Sequence, residues 1–437
     1  MNELLIARGQ MALSLAFHIV FAAIGVAMPV LMVVADVMHR RTRDPEWLAI
    51  NKAWAKGTAV LFAVGAVSGT VLSFELGLLF PGFMRHAGAI IGMPFSLEGF
   101  AFFLEAIFLG LYLYGRDKLP ARLHLAAGVG VAVAGLASLA FVMLVNAWMN
   151  APVGYHLIDP ATGQLGAVDP LAGMASPFAL HEILHMAAAA YMATGLGAAA
   201  IHATVLLRRG ASTGANASFH RKALGVALAM AIPATLAQPL LGHIAGGQVA
   251  RLQPMKLAAM EGLFHTQKHA PMSVGGIVDH EARKTRYAVE IPGLLSFIAF
   301  DDFDATVQGL EDFPEADWPS PVVHYAHQIM VGIGTACAGL AAWVVLAYLR
   351  NKRRLPTNPW LLRALVLAGP LGFIAIEAGW TVTEVGRQPW VIYGVLRTAA
   401  AATPMPGLIV PFVTFTLLYC GLAAAVVAIL LRQVRKT

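Results

Sequence analysis

A 437-residue chain that is 58% hydrophobic and only 12% charged, with a mean hydropathy of +0.69, is not an ordinary soluble globular protein. Soluble domains carry about 25% charged residues, so half the usual solvating charge is missing. The net charge of +6 calls for no nucleic acid partner, because membrane topology accounts for it. The two cysteines, Cys337 and Cys420, fall inside predicted helices and imply neither a disulfide framework nor a thiolate metal site.

Nine apolar stretches are long enough to cross a bilayer, which takes about 20 helical residues. In chain order they run 11–35, 54–80, 94–114, 123–150, 177–207, 223–244, 322–349, 361–385 and 406–431. Lipid offers backbone groups no partner outside a helix or closed barrel, and the alternation of a barrel strand is absent. The expected fold is therefore all-α, a single polytopic membrane domain over 1–437. Glu3 and a lone Arg8 precede the first stretch while Arg40, Arg41 and Arg43 follow it, the reverse of a cleavable signal, so that helix is expected to be retained. Trp54, Trp148, Trp318, Trp360 and Trp390 fall near segment ends, where interfacial aromatics belong. The long connection 245–321, between helices six and seven, has hydrophobic anchors and a short helical pattern around 256–264, and reads as a folded, functional loop. The loops after helices one, three, five and seven, with the C-terminal tail, hold 20 of the 30 basic residues. Six of the remaining ten lie in the long loop, and long loops translocate largely regardless of charge. The N-terminus is thus expected outside and the C-terminus in the cytoplasm.

Glu75, Glu98, Glu105, Glu182, Glu377 and Glu384 lie within or at the ends of predicted helices, with His18, His181, His185, His202 and His243. Each intramembrane carboxylate costs roughly 2.5–3.5 kcal/mol unless paired, protonated or bound. For any one of them a hydrogen-bonded helix contact is the ordinary explanation. As a set, with His324, His327 and Met330, they share the outer half of the bilayer under this topology, and only His202 lies toward the cytoplasm. One outer-half site built from several helices is expected. Glu98 and Glu105 are two turns apart on one helix face, as are Glu377 and Glu384, which suits a proton relay or a polar lining.

Two chemistries fit such a site. His181-Glu182-Ile183-Leu184-His185 matches the HExxH pattern of zinc metalloproteases, although no downstream signature singles out a third ligand. A low-spin haem instead needs two facing axial ligands, which helix five offers as His185 or His181 and helix seven as Met330, His327 or His324. The residues alone leave these pairs open.

Several segments go further: His18; Glu98-Gly-Phe-Ala-Phe-Phe-Leu-Glu105; Asn146-Ala-Trp-Met-Asn-Ala-Pro-Val-Gly154; His185 followed by Tyr191; Lys256-Leu-Ala-Ala-Met-Glu261; Met330-Val-Gly332; and Gly379-Trp380 leading into Glu384-Val-Gly-Arg-Gln-Pro-Trp390. On these the chain resembles subunit I of cytochrome bd-type quinol oxidases over essentially its whole length. The resemblance implies a quinol:oxygen oxidoreductase subunit of a respiratory chain, in the bacterial cytoplasmic (inner) membrane, that generates proton motive force. It implies His185 and Met330 as axial ligands of a low-spin haem b, and His18 and Glu384 as ligands of a high-spin haem b and a haem d, or a further haem b in its place. Lys256 and Glu261 match the quinol site of a periplasmic loop, here 245–321. Glu98 and Glu105 match carboxylates of proton delivery, Trp380 would lie among the haems, and Arg387 near their propionates. The implied partners are oxidase subunit II, a small single-helix subunit, quinol, oxygen and the lipid bilayer. Two features depart from relatives: Gln328 stands where they have arginine, and the loop is short, as in the cyanide-insensitive branch.

Overall fold

The computed structural model describes residues 3–159, 164–209, 217–355 and 358–436. Among them are thirteen α-helices: α1 (Glu3–Thr42), α2 (Pro45–Leu79), α3 (Pro81–Tyr114), α4 (Ala121–Asn150), α5 (Pro170–Met174), α6 (Ala179–Arg209), α7 (Ala217–Leu252), α8 (Pro254–Glu261), α9 (Leu294–Phe300), α10 (Val322–Arg350), α11 (Pro359–Gly386), α12 (Thr398–Ala401) and α13 (Ile409–Lys436). Nine of these are long and apolar enough to cross a membrane, and each overlaps one predicted stretch.

The helices outrun the apolar stretches because backbone hydrogen bonding does not stop where the hydrocarbon does. α1 continues through Pro29 to a basic last turn of His39, Arg40 and Arg41. The third helix begins at Pro81 rather than at the expected Pro94, which lies inside it. Proline removes one intrahelical bond, a loss that membrane helices tolerate when neighbours re-satisfy the freed carbonyl. The break before it falls at Phe80, a residue restricted by the following proline. Trp54 and Trp148 are also corrected. Both are buried within the bundle, Trp54 edge-on to His202, whereas Trp360 is exposed as an interfacial residue should be.

α6 is the central helix, packed against α7, α11 and α1. Its alanines permit close approach, the main source of helix association where lipid is as apolar as leucine. A Cβ on Gly372 of α11 would come within 2.5 Å of the Ala193 backbone of α6. Large apolar faces of α2, α3, α10 and α13 remain uncovered.

The long loop is built of short antiparallel pairs on an apolar base. Ten short strands occur among the described residues: β1 (His156–Asp159), β2 (Gln164–Gly166), β3 (Gln267–Lys268), β4 (Met272–Val274), β5 (Ile277–Asp279), β6 (Lys284–Arg286), β7 (Val289–Ile291), β8 (Thr306–Val307), β9 (Trp390–Ile392) and β10 (Leu396–Arg397). In the loop β3 pairs with β8, β4 with β7 and β5 with β6. The helical pattern read at 256–264 is α8, which Pro254 opens. Met255, Ala258, Ala259 and Met260 bury α8 against Val323 and Ala326 of α10 and Val382 of α11, so the loop helix is part of the bundle's core.

At the opposite end of the bundle, Asp36 is buried among cations. Arg40 donates to its carboxylate at 2.8 and 3.0 Å and Arg116 at 3.2 Å, with His124 at 3.5 Å. Arg116 also bonds Asn51, which donates to Tyr112 at 2.6 Å. Removing one member of a buried ion pair is expensive because its partners stay desolvated. Asp36→Asn is expected to lose about 3 kcal/mol, the low end for such a change because both arginines are partly solvated. Thermal unfolding in detergent should show a midpoint several degrees lower, and an unchanged midpoint would mean the cations are solvated without it.

Candidate functional site

α8 places its two ionisable side chains against different helices. The buried Lys256 Nζ donates to Asn150 Oδ1 at 2.7 Å. A continuous chain follows: Asn150 Nδ2 donates to Asn146 Oδ1 at 3.0 Å, Asn146 Nδ2 to Glu384 Oε1 at 2.7 Å, and Arg387 Nη2 to Glu384 Oε2 at 2.5 Å. Glu182 of α6 is an electrostatic neighbour of Lys256, Arg387 and Glu384, and its Oε2 is buried without a partner. Burial, and then the like charge of Arg387, bring the Lys256 ammonium down to about 7. Its stem lies along Gly386, where a Cβ would come within 3.1–3.3 Å of three lysine carbons.

Glu261 closes the other end of α8. Its Oε1 lies 3.4 Å from His327 Nδ1 of α10, and its Oε2 is buried and unpartnered. Burial pushes its carboxyl up to about 8. Two neighbours on α10 clamp the loop. His324 Nδ1 and Nε2 face the carbonyls of Met260 and Gly275 at 2.8 and 3.1 Å. Gln328 accepts from the Gly275 N–H and donates to the Ser273 carbonyl. The residue that stands in place of an arginine is thus a pin between α10 and β4.

The remaining candidates lie on the surrounding helices. Met330 faces α11 with Sδ 3.0 Å from where a Cβ on Gly379 would stand. His185 and His181 each have a buried Nδ1 without a partner. Trp380 packs against an apolar cluster that includes Ile19 and Ala23 of α1 and Ala190 of α6. His18 Nδ1 is 3.1 Å from Ser68 Oγ, whose single proton goes to the Gly65 carbonyl. Ser68 must therefore accept from His18, which leaves the lone pair on Nε2. Glu98 accepts from Ser138 at 3.0 Å, and Glu105 is buried against Gly135 with Glu98 as its electrostatic neighbour.

One histidine of the expected layer drops out of it. His243 lies on α7 and faces the loop, 3.0 Å from Asp301 and stacked on Phe297, and contributes nothing to the buried site. His202 pairs with His220 at 2.9 Å. Asn146 and Asn150, which connect Lys256 to Glu384, stand in a motif that carries the family resemblance but have no site role on the sequence alone. Their spacing of four on one helix face was the available signal, but asparagine at a helix end more often serves as a cap.

The residues suit haem better than a bare ion. Arg387 is 1% exposed, yet its Nε and Nη1 have no partner. A buried guanidinium with two idle donor groups calls for an anion, and a propionate answers that requirement. The unpartnered imidazole of His185, the thioether of Met330 and the free lone pair of His18 are the donors haem iron takes. Among the described residues no three His, Cys, Asp or Glu side chains are grouped to hold an ion.

The family model for cytochrome bd terminal oxidase subunit I matches residues 6–437. The chain belongs to that family. A putative cytochrome bd menaquinol oxidase subunit I of Bacillus subtilis (strain 168) is 37% identical, across 100% of this chain and 97% of that protein. The cytochrome bd-II ubiquinol oxidase subunit 1 of Escherichia coli (strain K12) is 26% identical, across 91% and 89%. The bd oxidase structure from Geobacillus thermodenitrificans superposes with a TM-score of 0.91 at 37% identity, covering 100% of this chain and 99% of that one. This protein is a multi-pass, haem-bearing subunit of a terminal respiratory oxidase, and works in a complex with a second subunit. The protease reading of HExxH is not favoured.

The contact between Gly379 and Met330 gives a test that leaves both residues' neighbours intact. Gly379→Ala is expected to displace Sδ, and if Met330 ligates a haem iron the haem bands in the reduced-minus-oxidised spectrum of the assembled complex should change with it. Identical bands would place Met330 away from the iron.

Proposed function

We propose that this subunit oxidises quinol at the outer face, on α8, and supports the reduction of oxygen to water within the bundle. The observation that carries this reading is the burial of Lys256 and Glu261, on a loop helix packed into the core, between the Arg387–Glu384 chain and the helix of Met330. His185 and Met330 would hold a low-spin haem b. His18 and Glu384 would hold a high-spin haem b and a haem d, or a further haem b in its place. Bound there, haem supplies the one-electron chemistry and the iron at which oxygen is reduced.

The chain's own residues do the rest. Lys256, held by Asn150, presents a cation to a quinol oxygen, while Glu261 in its ionised form takes the hydroxyl proton as general base. Arg387 orients propionates, and Trp380 fills the space between α1 and α6. Glu98 and Glu105 carry protons along α3 toward the oxygen-reducing site. With the N-terminus and the loop 245–321 outside and the C-terminus in the cytoplasm, quinol protons leave outward and protons for water arrive from within. Charge is then separated without pumping, across the bacterial cytoplasmic membrane. A small single-helix subunit, besides subunit II, and lipid would cover the exposed apolar faces.

The dithionite-reduced visible spectrum of the purified complex is the first test. A far-red chlorin band beside b-type bands is expected, and a colourless protein sinks the reading. Met330→Leu should remove the low-spin signal and spare high-spin haem.

The two shifted groups of α8 predict opposite pH limbs. Glu261 is ionised only above about 8, so kcat should rise with pH and level off beyond that value. Lys256 loses its charge above about 7, so KM for quinol should rise past it. Oxygen uptake with a soluble quinol reads both, and Glu261→Gln should abolish the rise in kcat. In oriented vesicles the quinol protons should appear on the loop side; their release on the cytoplasmic side would overturn the proposed topology.

A further inference from the structure

One buried carboxylate has no part in the site above. Glu75 of α2 is 3% exposed and accepts from Gln10 Nε2 of α1 at 2.8 Å, with Ser14 of α1 as a second hydrogen-bond partner. Ser14 in turn accepts from the Tyr419 hydroxyl of α13 at 3.0 Å. Glu75 Oε2 is buried without a hydrogen-bond partner, as is Gln10 Oε1. Among the described residues Glu75 makes no ion pair. On the nearer turns of the elements packed around it the titratable residues are Glu3, Arg8 and His18 on α1, Arg85 and His86 on α3, and Tyr419 and Cys420 on α13; Asp36, His39, Arg40 and Arg41 of α1, Glu98, Glu105, Tyr112 and Tyr114 of α3 and Arg432 of α13 lie farther along those helices. Of these, Tyr419 is coupled to it, through Ser14 and by charge.

The position of this cluster gives it a use. Ser14 is one helical turn before His18 on α1, and Ser68, which fixes the His18 tautomer, is two turns before Glu75 on α2. The same two helix faces therefore carry the His18–Ser68 pair and, one layer nearer the loop end, the Glu75 cluster. An electron added to a centre in a low-dielectric interior is held more favourably if a proton arrives nearby, because unscreened charge is costly there. A carboxylate with an unpartnered oxygen and no fixed counter-charge is the group in this layer able to take that proton.

We propose that Glu75 is a redox-linked proton site: its Oε2 takes up a proton when an electron reaches the haem held at His18, and gives it back on oxidation. The proposal rests on the assignment of His18 as a haem ligand. The electron comes from the oxidase's own donor and the proton from water at the loop end, so charge balances. Gln10 and Ser14 position the carboxylate, and Tyr419 fixes Ser14.

Reduced-minus-oxidised infrared spectra of the whole complex test it. A carboxylic C=O component that shifts in D2O is expected in the native protein, is lost in Glu75→Gln and moves in Glu75→Asp. The pH dependence of the high-spin haem midpoint potential should weaken in Glu75→Gln. An unchanged carboxylic region in a Glu75→Gln complex that retains its high-spin haem overturns the proposal. Should Glu75→Gln assemble without that haem, Tyr419→Phe takes its place: a moved component supports the proposal and an unmoved one overturns it. His18→Ala separates the two readings. If it keeps every haem band, the ligand assignment fails whatever the Glu75 component does.

Discussion

Two cations and two carboxylates, Lys256, Arg387, Glu182 and Glu384, share one layer of a bundle otherwise made of alanine, leucine and valine. Charge in such a place is tolerable only when it is neutralised and hydrogen-bonded. The chain Lys256–Asn150–Asn146–Glu384–Arg387 does this across α4, α8 and α11, and it determines much else. α8 must reach down into the bundle for Lys256 to meet Asn150, and α11 must present glycine at 386 for the lysine stem to pass.

The wedge that results divides the chemistry. On one side of α8 the lysine joins the charged chain beneath the propionate-seeking Arg387. On the other, Glu261 faces His327, one turn before Met330. A quinol on α8 would thus meet a cation and a base from opposite sides, and the loop strands that cover it are fastened to α10 by His324, Gln328 and Tyr325. The lid is thereby fastened to α10, the helix of Met330, and would keep donor and acceptor in register under the proposed function.

The two ends of the molecule treat polar atoms differently. Around Asp36 the carboxylate, arginines, asparagine and tyrosine form a closed network that ties α1, α2, α3 and α4 together. Toward the loop, His181, His185, Glu182, Glu261 and Arg387 each retain a buried atom without a partner. Native proteins rarely leave such atoms idle without a functional cause, so their concentration at one end marks where ligands and protons are handled.

The bilayer itself made the fold legible in sequence. A segment that must satisfy its backbone internally shows as an unbroken apolar run, and all nine runs correspond to helices. The same rule made Glu75, Glu98, Glu182 and Glu384 conspicuous, because lipid tolerates few charges. Helix ends were less legible: the stretch from Pro81 to Pro94, with two prolines, three glycines, Arg85 and His86, looks like a loop, yet it is helical and buries Phe83, Ala87, Ile90 and Ile91 in an apolar cluster. What the tertiary structure alone decided is which polar group meets which. His243, apolar in its sequence surroundings, turned outward to Asp301; Gln328 became a loop pin; Asn146 and Asn150 became the bridge from lysine to glutamate. Partnerships of this kind span 238 residues from Asn146 to Glu384 and 405 from Ser14 to Tyr419, and depend on the rotation of one helix against another. A periodic pattern read along one strand of sequence carries no information about that rotation.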